Sequence, residues 1–375
     1  MINFEPMKIA FLSTFFPYRG GIAQFNAALF RSLEKEHTVK AFNFSLQYPK
    51  LLFPGKSQFV AENDEVDQIP SQRILNSINP ISYRSTVKEI KKFNPDLLII
   101  GYWMPFMAPS LGFVAGKLKK HCKVVAIVHN ATPHEKNKSD QQLNRYFLNR
   151  VDKIVALSEA VKKDIKNITP AKPIQVIPHP LYEHFGKKIT KEEAANTLSI
   201  PANKKYLLFF GLIRKYKGLD VLLKALAHLP EDIHLVIAGE AYDKIETYQQ
   251  IISEENIQNR VHLFNRYIPD HEVKSFFSLA DVCVLPYKSA TQSGVTAIAH
   301  YFNIPVIATK VGGLDEFIDN NKNGILIENA DEKLLADTIA NCYSAHLLPV
   351  FQQELERKKH FTWEDFKESL IAFVN

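Results

Sequence analysis

The chain has 375 residues, of which 46% are hydrophobic and 23% charged, and it carries a formal net charge of +6. This length excludes a single ordinary hydrophobic core and suits two α/β domains, while the composition is typical of soluble globular proteins. The three scattered cysteines, Cys122, Cys283 and Cys342, exclude a disulfide framework and a cysteine metal site, so we expect a protein of a reducing compartment.

The N-terminal segment lacks the pattern of a targeting sequence. Its apolar run, Ile9–Leu12, is short and is followed by Ser13 and Thr14, which is typical of a buried first strand. Nothing else in the sequence approaches the length of a membrane-spanning segment. We therefore expect a cytoplasmic protein that is soluble or, at most, bound peripherally to the inner face of a membrane.

Apolar, strand-like runs alternate with amphipathic helical segments along the chain. In the first half the runs cover Ile9–Ser13, Val39–Phe44, Leu97–Ile100, Val124–Val128 and Ile154–Leu157. In the second half they cover Tyr206–Phe210, Leu235–Ala238, Val261–Phe264, Val282–Leu285 and Val306–Thr309. Such continuous runs are typical of parallel strands covered on both faces. Because ten strands are too many for one ordinary sheet, we predict two Rossmann-like, doubly wound α/β domains.

The domain boundary is predicted near residue 180. Pro173, Pro178 and Pro180 interrupt the pattern there, and a new series of strands and helices begins after Lys205. We therefore assign residues 1–180 to an N-terminal domain and residues 181–360 to a C-terminal domain. A final amphipathic helix is predicted to begin after an N-cap at Thr362.

Charge is distributed unevenly between the two halves. Residues 1–182 contain 25 basic and 14 acidic residues, a formal charge of +11, and the remainder carries −5. This asymmetry indicates an anionic partner for the first half, such as a phospholipid surface or a lipid-linked phosphate; the alternative is a set of ordinary solvated helix faces. Because the lysines are spread over many helices and no nucleic-acid-binding module accompanies them, we expect no nucleic acid partner.

Ligands are expected at loops that follow strands, because doubly wound sheets bind them at the carboxyl ends of their strands. Gly20 and Gly21 follow the first strand and begin a helix whose free N–H groups suit a phosphate; a tight turn is the alternative. His129 directly follows a buried strand, with His134 and Glu135 close behind. These groups suit proton relay or the orientation of a hydroxyl, whereas a metal site lacks a third ligand from a rigid element.

Two further loops of this kind lie in the second half. Gly211–Gly218 brings Arg214 and Lys217 to a helix start, where guanidinium and ammonium groups complement a diphosphate. Ser289–Gly294 offers hydroxyl, amide and backbone donors at another helix start, from Thr291, Gln292, Ser293 and Gly294. The alternatives are a solvated basic turn for the first loop and a polar N-cap for the second.

Two aromatic stretches that contain prolines, Ser45–Lys56 and Tyr102–Pro109, follow strands of the first half. If they are exposed, they form an apolar acceptor groove or a membrane-contact patch edged by Lys50 and Lys56. If they are buried, they are ordinary core loops. The sequence leaves both interpretations open.

Taken in order, these motifs resemble the family-4 retaining glycosyltransferases of GT-B fold. The resemblance covers nearly the whole chain, and its pieces are Gly20-Gly21, His129, Ala156-Leu157-Ser158, Gly211 with Lys217-Gly218, Ala238-Gly239, Pro286, Pro305-Val306-Ile307 and Gly312-Gly313 with Glu316. It implies two Rossmann-like domains that face each other across a cleft. It also implies a C-terminal helix, residues 361–375, that returns to the N-terminal domain.

The resemblance further implies the substrates. The C-terminal domain would bind a nucleotide-diphosphate sugar, the N-terminal domain a glycan or lipid-linked acceptor, and transfer between them would retain the anomeric configuration without a metal or other cofactor. Arg214 and Lys217 would hold the diphosphate, where positive charge stabilises the leaving group. His129 would contact the transferred sugar. The remaining donor-site positions, near the base, the sugar and the phosphates, would be Gly20, Gly21, Gly211, Tyr267, Ile268, Thr291, Gln292, Ser293 and Gly294.

The donor loop departs from the family pattern. The two glutamates that the family carries eight positions apart fall on Ala290 and Ile298, and its GFG-like triplet becomes Thr291-Gln292-Ser293. Leu212 also stands where the family often has an arginine, two residues before Arg214. Hydroxyl and amide groups would then replace carboxylates at the sugar, so the resemblance does not specify which sugar is transferred.

The sequence thus predicts a hexosyltransferase that acts in the synthesis of a cell-surface polysaccharide or glycoconjugate. Two alternatives from other classes remain. One is a nucleotide-sugar epimerase or a phosphorylase of the same fold. The other is a catalytically inactive, glycan-binding protein that has lost its glutamates.

Overall fold

The computed structural model describes residues 5–49, 57–60, 66–130, 138–181, 185–290, 293–358 and 360–375. The chain divides into two compact units, residues 1–180 with 361–375 and residues 181–360. Each unit contains one parallel sheet with helices between its strands. The predicted α/β class with two Rossmann-like parallel sheets is therefore confirmed.

The first unit begins with β1 and contains the following elements. Its strands are β1 (Lys8–Leu12), β2 (Thr38–Leu46), β3 (Ser71–Asn76), β4 (Leu97–Tyr102), β5 (Lys123–Val128), β6 (Lys153–Ala156) and β7 (Ile174–Val176). Its helices are α1 (Gly21–Glu34), α2 (Pro80–Phe93), α3 (Ala108–Leu118), α4 (Lys138–Leu148) and α5 (Glu159–Ile168). Within the described residues the strand order is β3-β2-β1-β4-β5-β6-β7.

The second unit has the same plan. Its strands are β8 (Lys205–Phe210), β9 (Ile233–Ala238), β10 (Val261–Phe264), β11 (Val282–Leu285), β12 (Val306–Thr309) and β13 (Gly324–Ile327). Its helices are α6 (Lys191–Leu198), α7 (Leu219–Ala227), α8 (Ile245–Glu254), α9 (Asp270–Leu279), α10 (Gly294–Tyr301), α11 (Glu332–Ser344) and α12 (Leu347–Arg357). In the described part of this unit the order is β10-β9-β8-β11-β12-β13.

In both sheets the strand order reverses beside the first strand, between β1 and β4 in one unit and between β8 and β11 in the other. In doubly wound sheets the crevice outside the carboxyl ends at such a point is the usual ligand site. The loops after these strands therefore mark one candidate ligand edge in each unit.

The last helix, α13 (Trp363–Val374), belongs to the first unit and packs on α1. A reciprocal pair of hydrogen bonds between Thr362 and Asp365 confirms the predicted N-cap. One face of the helix enters the hydrophobic core of this unit through Phe366, Leu370, Ile371 and Val374.

Three strands that the apolar pattern does not predict, β3, β7 and β13, lie at sheet edges. An edge strand pairs on one side only and is often short, so it needs no long apolar run. β3 contains one fully buried apolar side chain, Leu75, and the three residues of β7 are all only partly buried. These edge strands therefore lack the long apolar run that identifies the central strands.

The aromatic stretch Tyr102–Pro109 is mainly a core loop. Tyr102, Met107 and Ala108 are fully buried, and the Trp103 indole donates a hydrogen bond to the Tyr48 hydroxyl at 2.6 Å. The interpretation of this stretch as an exposed patch is therefore wrong. Residues 50–56 of the other aromatic stretch lie outside the described residues.

No helix in the described part of the chain is both long and apolar enough to cross a bilayer.

Substitution of Gly239, which directly follows β9, tests how tightly the strand ends of the second unit are packed. Its φ is +155°, and an added Cβ would lie 2.0 Å from the Gly211 carbonyl oxygen. Gly186 also has a positive φ, +81°, but in the described part of the chain its Cβ would meet only the Lys274 Cδ, at 3.8 Å. Because both substitutions impose backbone strain and one adds a collision with backbone, we expect Gly239→Ala to destabilise the protein by about 2 kcal/mol more than Gly186→Ala in urea unfolding. Equal losses would contradict the packing described.

Candidate functional site

The loop after β8 is shaped by two glycines with positive φ. Gly211 has φ +95° and Gly218 has φ +69°, and a single 3-10 turn, Lys215–Lys217, lies between them. A Cβ on Gly218 would stand 1.9 Å from the Pro286 carbonyl oxygen. Glycine therefore allows the loops that follow β8 and β11 to contact each other at the point where the strand order reverses.

Lys217 is a buried cation in this loop. Its side chain is 9% exposed, and its ammonium lies 5.4 Å from the centre of the Tyr287 ring. Within the described residues this ammonium makes neither a hydrogen bond nor an ion pair. Burial, and then the nearby Arg214, lowers the pKa of Lys217 to about 8. A buried charge without a counter-ion is costly, so the loop favours an anionic ligand.

Gly211 makes room for this ammonium. A Cβ at Gly211 would come within 3.3 Å of the Lys217 Nζ and 3.6 Å of Val295, at the start of α10. The cation therefore lies between the end of β8 and the first turn of α10. Free N–H groups in the first turn of a helix attract the same anion that an ammonium attracts.

Arg214 supplies a second cation from the same loop. Its guanidinium carbon lies 4.9 Å from the centre of the Tyr242 ring, a cation–π distance. Among the described residues it has no carboxylate partner. Two cations three residues apart, neither neutralised by a described carboxylate, form a site suited to a diphosphate.

The loop after β11 is held to the β8 loop by a different lysine. The Lys288 ammonium pairs with the Asp220 carboxylate at 2.5 Å, and the Lys288 backbone N–H donates to the Tyr216 carbonyl at 2.7 Å. Lys288 is thus already neutralised, unlike Lys217. This pairing holds the two loops together without using the cations that remain for a ligand.

Ser293 is the N-cap of α10. Its hydroxyl accepts a hydrogen bond from the Val295 backbone N–H at 3.3 Å and lies 3.4 Å from the Tyr287 hydroxyl. The polar N-cap considered from the sequence is therefore what the structure shows for Ser293, and Gly294 is the first helical residue. Thr291 and Gln292 lie outside the described residues.

The positions of the two missing glutamates differ in their surroundings. Ala290 is half-buried in the loop, whereas Ile298 is buried in α10. Neither can supply a charge. A carboxylate that the sequence reasoning missed, Glu240, is only 5% exposed and follows β9 and Gly239. Its backbone carbonyl accepts a hydrogen bond from the Ile213 N–H at 2.9 Å. The signal that could have identified it is an acidic residue just after a buried strand and a glycine.

Tyr267 and Ile268 follow β10, which is two strands away from β8 in the sheet. Ile268 is buried and Tyr267 is half-buried. Since neighbouring strands lie about 4.8 Å apart, β10 and β8 are roughly 10 Å apart in the sheet. The predicted residues of the second unit that the structure describes thus all lie in loops, or directly after one, at one carboxyl edge.

The predicted residues of the first unit also gather at a carboxyl edge. Gly20 has φ +106°, and its carbonyl accepts hydrogen bonds from the N–H groups of Ala23 at 2.9 Å and Gln24 at 3.2 Å. Among the residues that the structure describes, a Cβ on Gly20 would meet nothing within 4 Å, and Gly21 is exposed. Gly21 therefore places exposed backbone at the start of α1.

His129 lies just beyond β5 in an aromatic environment. Its backbone N–H donates to the Tyr102 carbonyl at 2.8 Å, and its ring packs edge-on against Phe25, with centres 4.8 Å apart. Burial, and then the neighbouring His179, lowers the pKa of His129 to about 3. The imidazole is therefore neutral near pH 7 and suits hydrogen bonding to an uncharged hydroxyl rather than attraction of an anion.

The described residues contain no group of three or more His, Cys, Asp or Glu side chains that could hold a metal ion. His134 and Glu135, which follow His129 in the sequence, lie outside these residues. The absence of a metal ion from the reaction stays a prediction.

Two family models match the sequence, one in each unit. The model described as Glycosyltransferase Family 4 matches residues 19–182. The model described as Glycosyl transferases group 1 matches residues 190–349. Together they cover most of the chain, including Gly20, His129, Arg214 and Lys217.

The chain is also similar to individual glycosyltransferases. An uncharacterized glycosyltransferase of Methanocaldococcus jannaschii is 25% identical over 369 residues, 96% of this chain and 95% of that protein. A D-inositol 3-phosphate glycosyltransferase of Xylanimonas cellulosilytica is 30% identical over 145 residues, 38% of this chain and 34% of that protein. The crystal structure of HepE from Anabaena with UDP and glucose matches with a TM-score of 0.80 at 17% identity, over 98% of each chain. This last likeness concerns the fold.

Pyrophosphate binding at different pH values tests the role of Lys217. Because the pKa of Lys217 is lowered to about 8, raising the pH from 7 to 10 removes its proton from the free site. We expect pyrophosphate affinity, measured by calorimetry, to fall by up to about tenfold for each pH unit above 8. The variant Lys217→Arg stays protonated throughout and corrects for the ionisation of pyrophosphate itself. The same pH dependence in both proteins would contradict the assignment.

Proposed function

Because the chain belongs to the family-4 glycosyltransferases, we propose that it transfers a hexose-type sugar from a nucleoside diphosphate to a glycan or lipid-linked acceptor. The anomeric configuration is retained and no metal ion takes part. The product is a cell-surface polysaccharide or glycoconjugate. Lys217 carries the proposal, because its buried ammonium lacks a counter-ion among the described residues and a donor diphosphate would supply one.

The donor diphosphate binds at the Gly211–Gly218 loop. Arg214 and Lys217 neutralise it in the ground state, and they stabilise it further as negative charge grows on the leaving group. The N–H groups at the start of α10 act in the same direction. These fixed positive groups supply the charge stabilisation that a metal ion supplies in other transferases.

His129 contacts the transferred sugar. Its imidazole is neutral, since burial lowers its pKa to about 3, so it exchanges hydrogen bonds with a sugar hydroxyl and carries no positive charge into the site. The two units thus have different tasks in this proposal. The second unit holds the anion and the first supplies an uncharged hydrogen-bonding group.

The nucleotide is proposed to extend from the Gly211 loop along the edge of the sheet toward Tyr267 and Ile268. The HepE structure contains UDP and glucose, which makes uridine the first base to test. A thermal-shift comparison of UDP-, GDP- and ADP-sugars selects the donor, since the preferred ligand raises the unfolding temperature most at equal concentration. Ser293 has its hydroxyl engaged in the N-cap, so its contribution to the donor comes from backbone groups.

Two variants test the diphosphate site. We expect Arg214→Ala and Lys217→Ala each to lower kcat by about a hundredfold or more, because each removes a charge that stabilises the leaving group. Lys224→Ala is the matched control, since Lys224 is an exposed lysine whose partner Glu332 lies 3.7 Å away and such pairs contribute little. Turnover of the nucleotide-sugar with acceptor is measured for all three. Unchanged turnover in Arg214→Ala and Lys217→Ala would reject the site.

The same assay separates the alternative functions. An epimerase converts its nucleotide-sugar without an acceptor, and a phosphorylase requires inorganic phosphate. An inactive glycan-binding protein binds nucleotide without turnover against any acceptor. Sugar transfer that depends on an acceptor, with retained configuration in the product, is the outcome that agrees with the proposal.

The exposed face of α2 supports a peripheral membrane location. Ile81 is 77% exposed and Ile78, just before the helix, is 53% exposed. Arg84, Lys88 and Lys92 are also exposed and follow Ile81 at intervals of three and four residues, so they share its side of the helix. Isoleucines beside cations suit an anionic phospholipid surface, whereas a nucleic acid backbone offers nothing to the isoleucines.

Charge reversal tests this location. We expect Arg84→Glu with Lys88→Glu to weaken binding to phosphatidylglycerol vesicles by at least about tenfold at low salt, since each cation near an anionic surface contributes on the order of 1 kcal/mol. Lys163→Glu with Lys166→Glu, on α5 of the same unit, changes the net charge equally. An equal loss in both double variants, or binding to DNA in place of vesicles, would reject the α2 surface.

A further inference from the structure

Phe25, one turn after the Gly20-Gly21 loop, is a fully buried ring that contacts other rings on several sides. It packs edge-on against His129 at 4.8 Å and against His179 at 5.0 Å between ring centres. Trp363 lies 5.1 Å away and Phe366 5.4 Å away, also edge-on. Phe25 thus joins the His129 ring to the C-terminal helix α13, and His179 also contacts Trp363 edge-on at 5.9 Å.

The start of α13 is itself held in place. The Ser32 hydroxyl donates to the Trp363 carbonyl at 3.2 Å, which ties α1 to the first residue of α13. Lys367, whose side chain is only 3% exposed, pairs with Glu36 at 2.6 Å and with Glu364 at 2.5 Å. Ion pairs to a buried lysine have defined geometry, so they determine where the first turn of α13 lies on α1.

We propose that the first turn of α13 is a positioning element for His129: Trp363 and Phe366 hold Phe25, and Phe25 holds the imidazole. The inference rests on the proposed function, because it takes His129 as the group that contacts the transferred sugar. Trp363 and Phe25 are positioning residues and do not touch substrate. The last helix of the chain thereby acts on a residue more than two hundred positions earlier.

The physical reason lies in the packing of aromatic edges. A ring that packs edge-on against several neighbours in a close-packed core can adopt few other orientations. Its orientation therefore depends on those neighbours. Removing Trp363 would leave space beside Phe25 and His179 and admit water. His129 would then lose both its fixed orientation and part of its desolvation. Because a hydrogen-bonding group displaced by about 1 Å can cost up to a hundredfold in rate, turnover is sensitive to this support.

The experiment compares Trp363→Ala with Leu370→Ala in the full chain. Leu370 lies on the same helix and is fully buried in the same core cluster, but it is aliphatic, lies two turns after Trp363, and is not one of the rings named above. We expect Trp363→Ala to lower kcat by about tenfold to a hundredfold with the donor KM within twofold. Leu370→Ala should lower the unfolding temperature but keep kcat at temperatures where the protein is folded. Trp363→Phe, which retains an aromatic edge, should recover most of the rate.

A second readout uses no substrate. In an NMR titration of the histidine rings, Trp363→Ala should raise the pKa of His129 from about 3 toward its ordinary value, because solvation of the charged form improves. His179, the titratable neighbour that also lowers it, is followed in the same spectra. Leu370→Ala should leave the His129 titration unchanged.

The outcomes separate the two proposals. Wild-type kcat and an unchanged His129 titration in Trp363→Ala would overturn the positioning role while leaving sugar transfer intact. Equal losses of kcat in Trp363→Ala and Leu370→Ala would also overturn it, because a general loss of packing would then explain both. If the wild-type protein transferred no sugar, the proposed function would fail, and the titration would still decide whether α13 holds His129.

Discussion

The loop after β8 contains a buried ammonium, Lys217, for which the described residues supply no counter-ion, and the ligand edge of the second unit depends on this charge. Lys217 can occupy its place because Gly211 has no side chain, and the loop can close over it because Gly218 lies against the Pro286 carbonyl. Several kcal/mol of desolvation are retained in the folded protein and are recovered when an anion binds. The neighbouring Lys288 is neutralised by Asp220, so Lys217 and Arg214 are the cations of this loop pair that lack a carboxylate partner among the described residues.

The first unit has the same architecture, but the functional side chain at its carboxyl edge is neutral rather than cationic. It also places a glycine with positive φ after its first strand, Gly20, and a helix start beyond it. Its chemical group, however, is an imidazole that burial keeps neutral among aromatic rings. The two sheets share a topology because parallel strands and helices pack in few ways, whereas the loops at their carboxyl edges determine what each can bind.

The missing glutamates have a limited effect on this arrangement. The family likeness and the cation site depend on glycines, an arginine and a lysine that are all present, so the anion-binding part is complete. Ile298 is buried in α10 and contributes packing where the family has a carboxylate. Glu240, close to the β8 loop, shows that a buried acid is still present at this edge. We therefore expect the substitutions to alter specificity for the sugar.

Local sequence patterns determined much of the fold and of the candidate site. Continuous apolar runs specify the central strands, because those strands are covered on both faces, and Thr362 with Asp365 specifies a helix start through bonds between near neighbours. Arg214 and Lys217 could be identified because they follow a strand that ends in glycine. Contacts between distant segments decided the rest. Burial of Tyr102, the edge strands and the ring contacts from Trp363 to His129 depend on partners far along the chain, which spacing and periodicity do not encode.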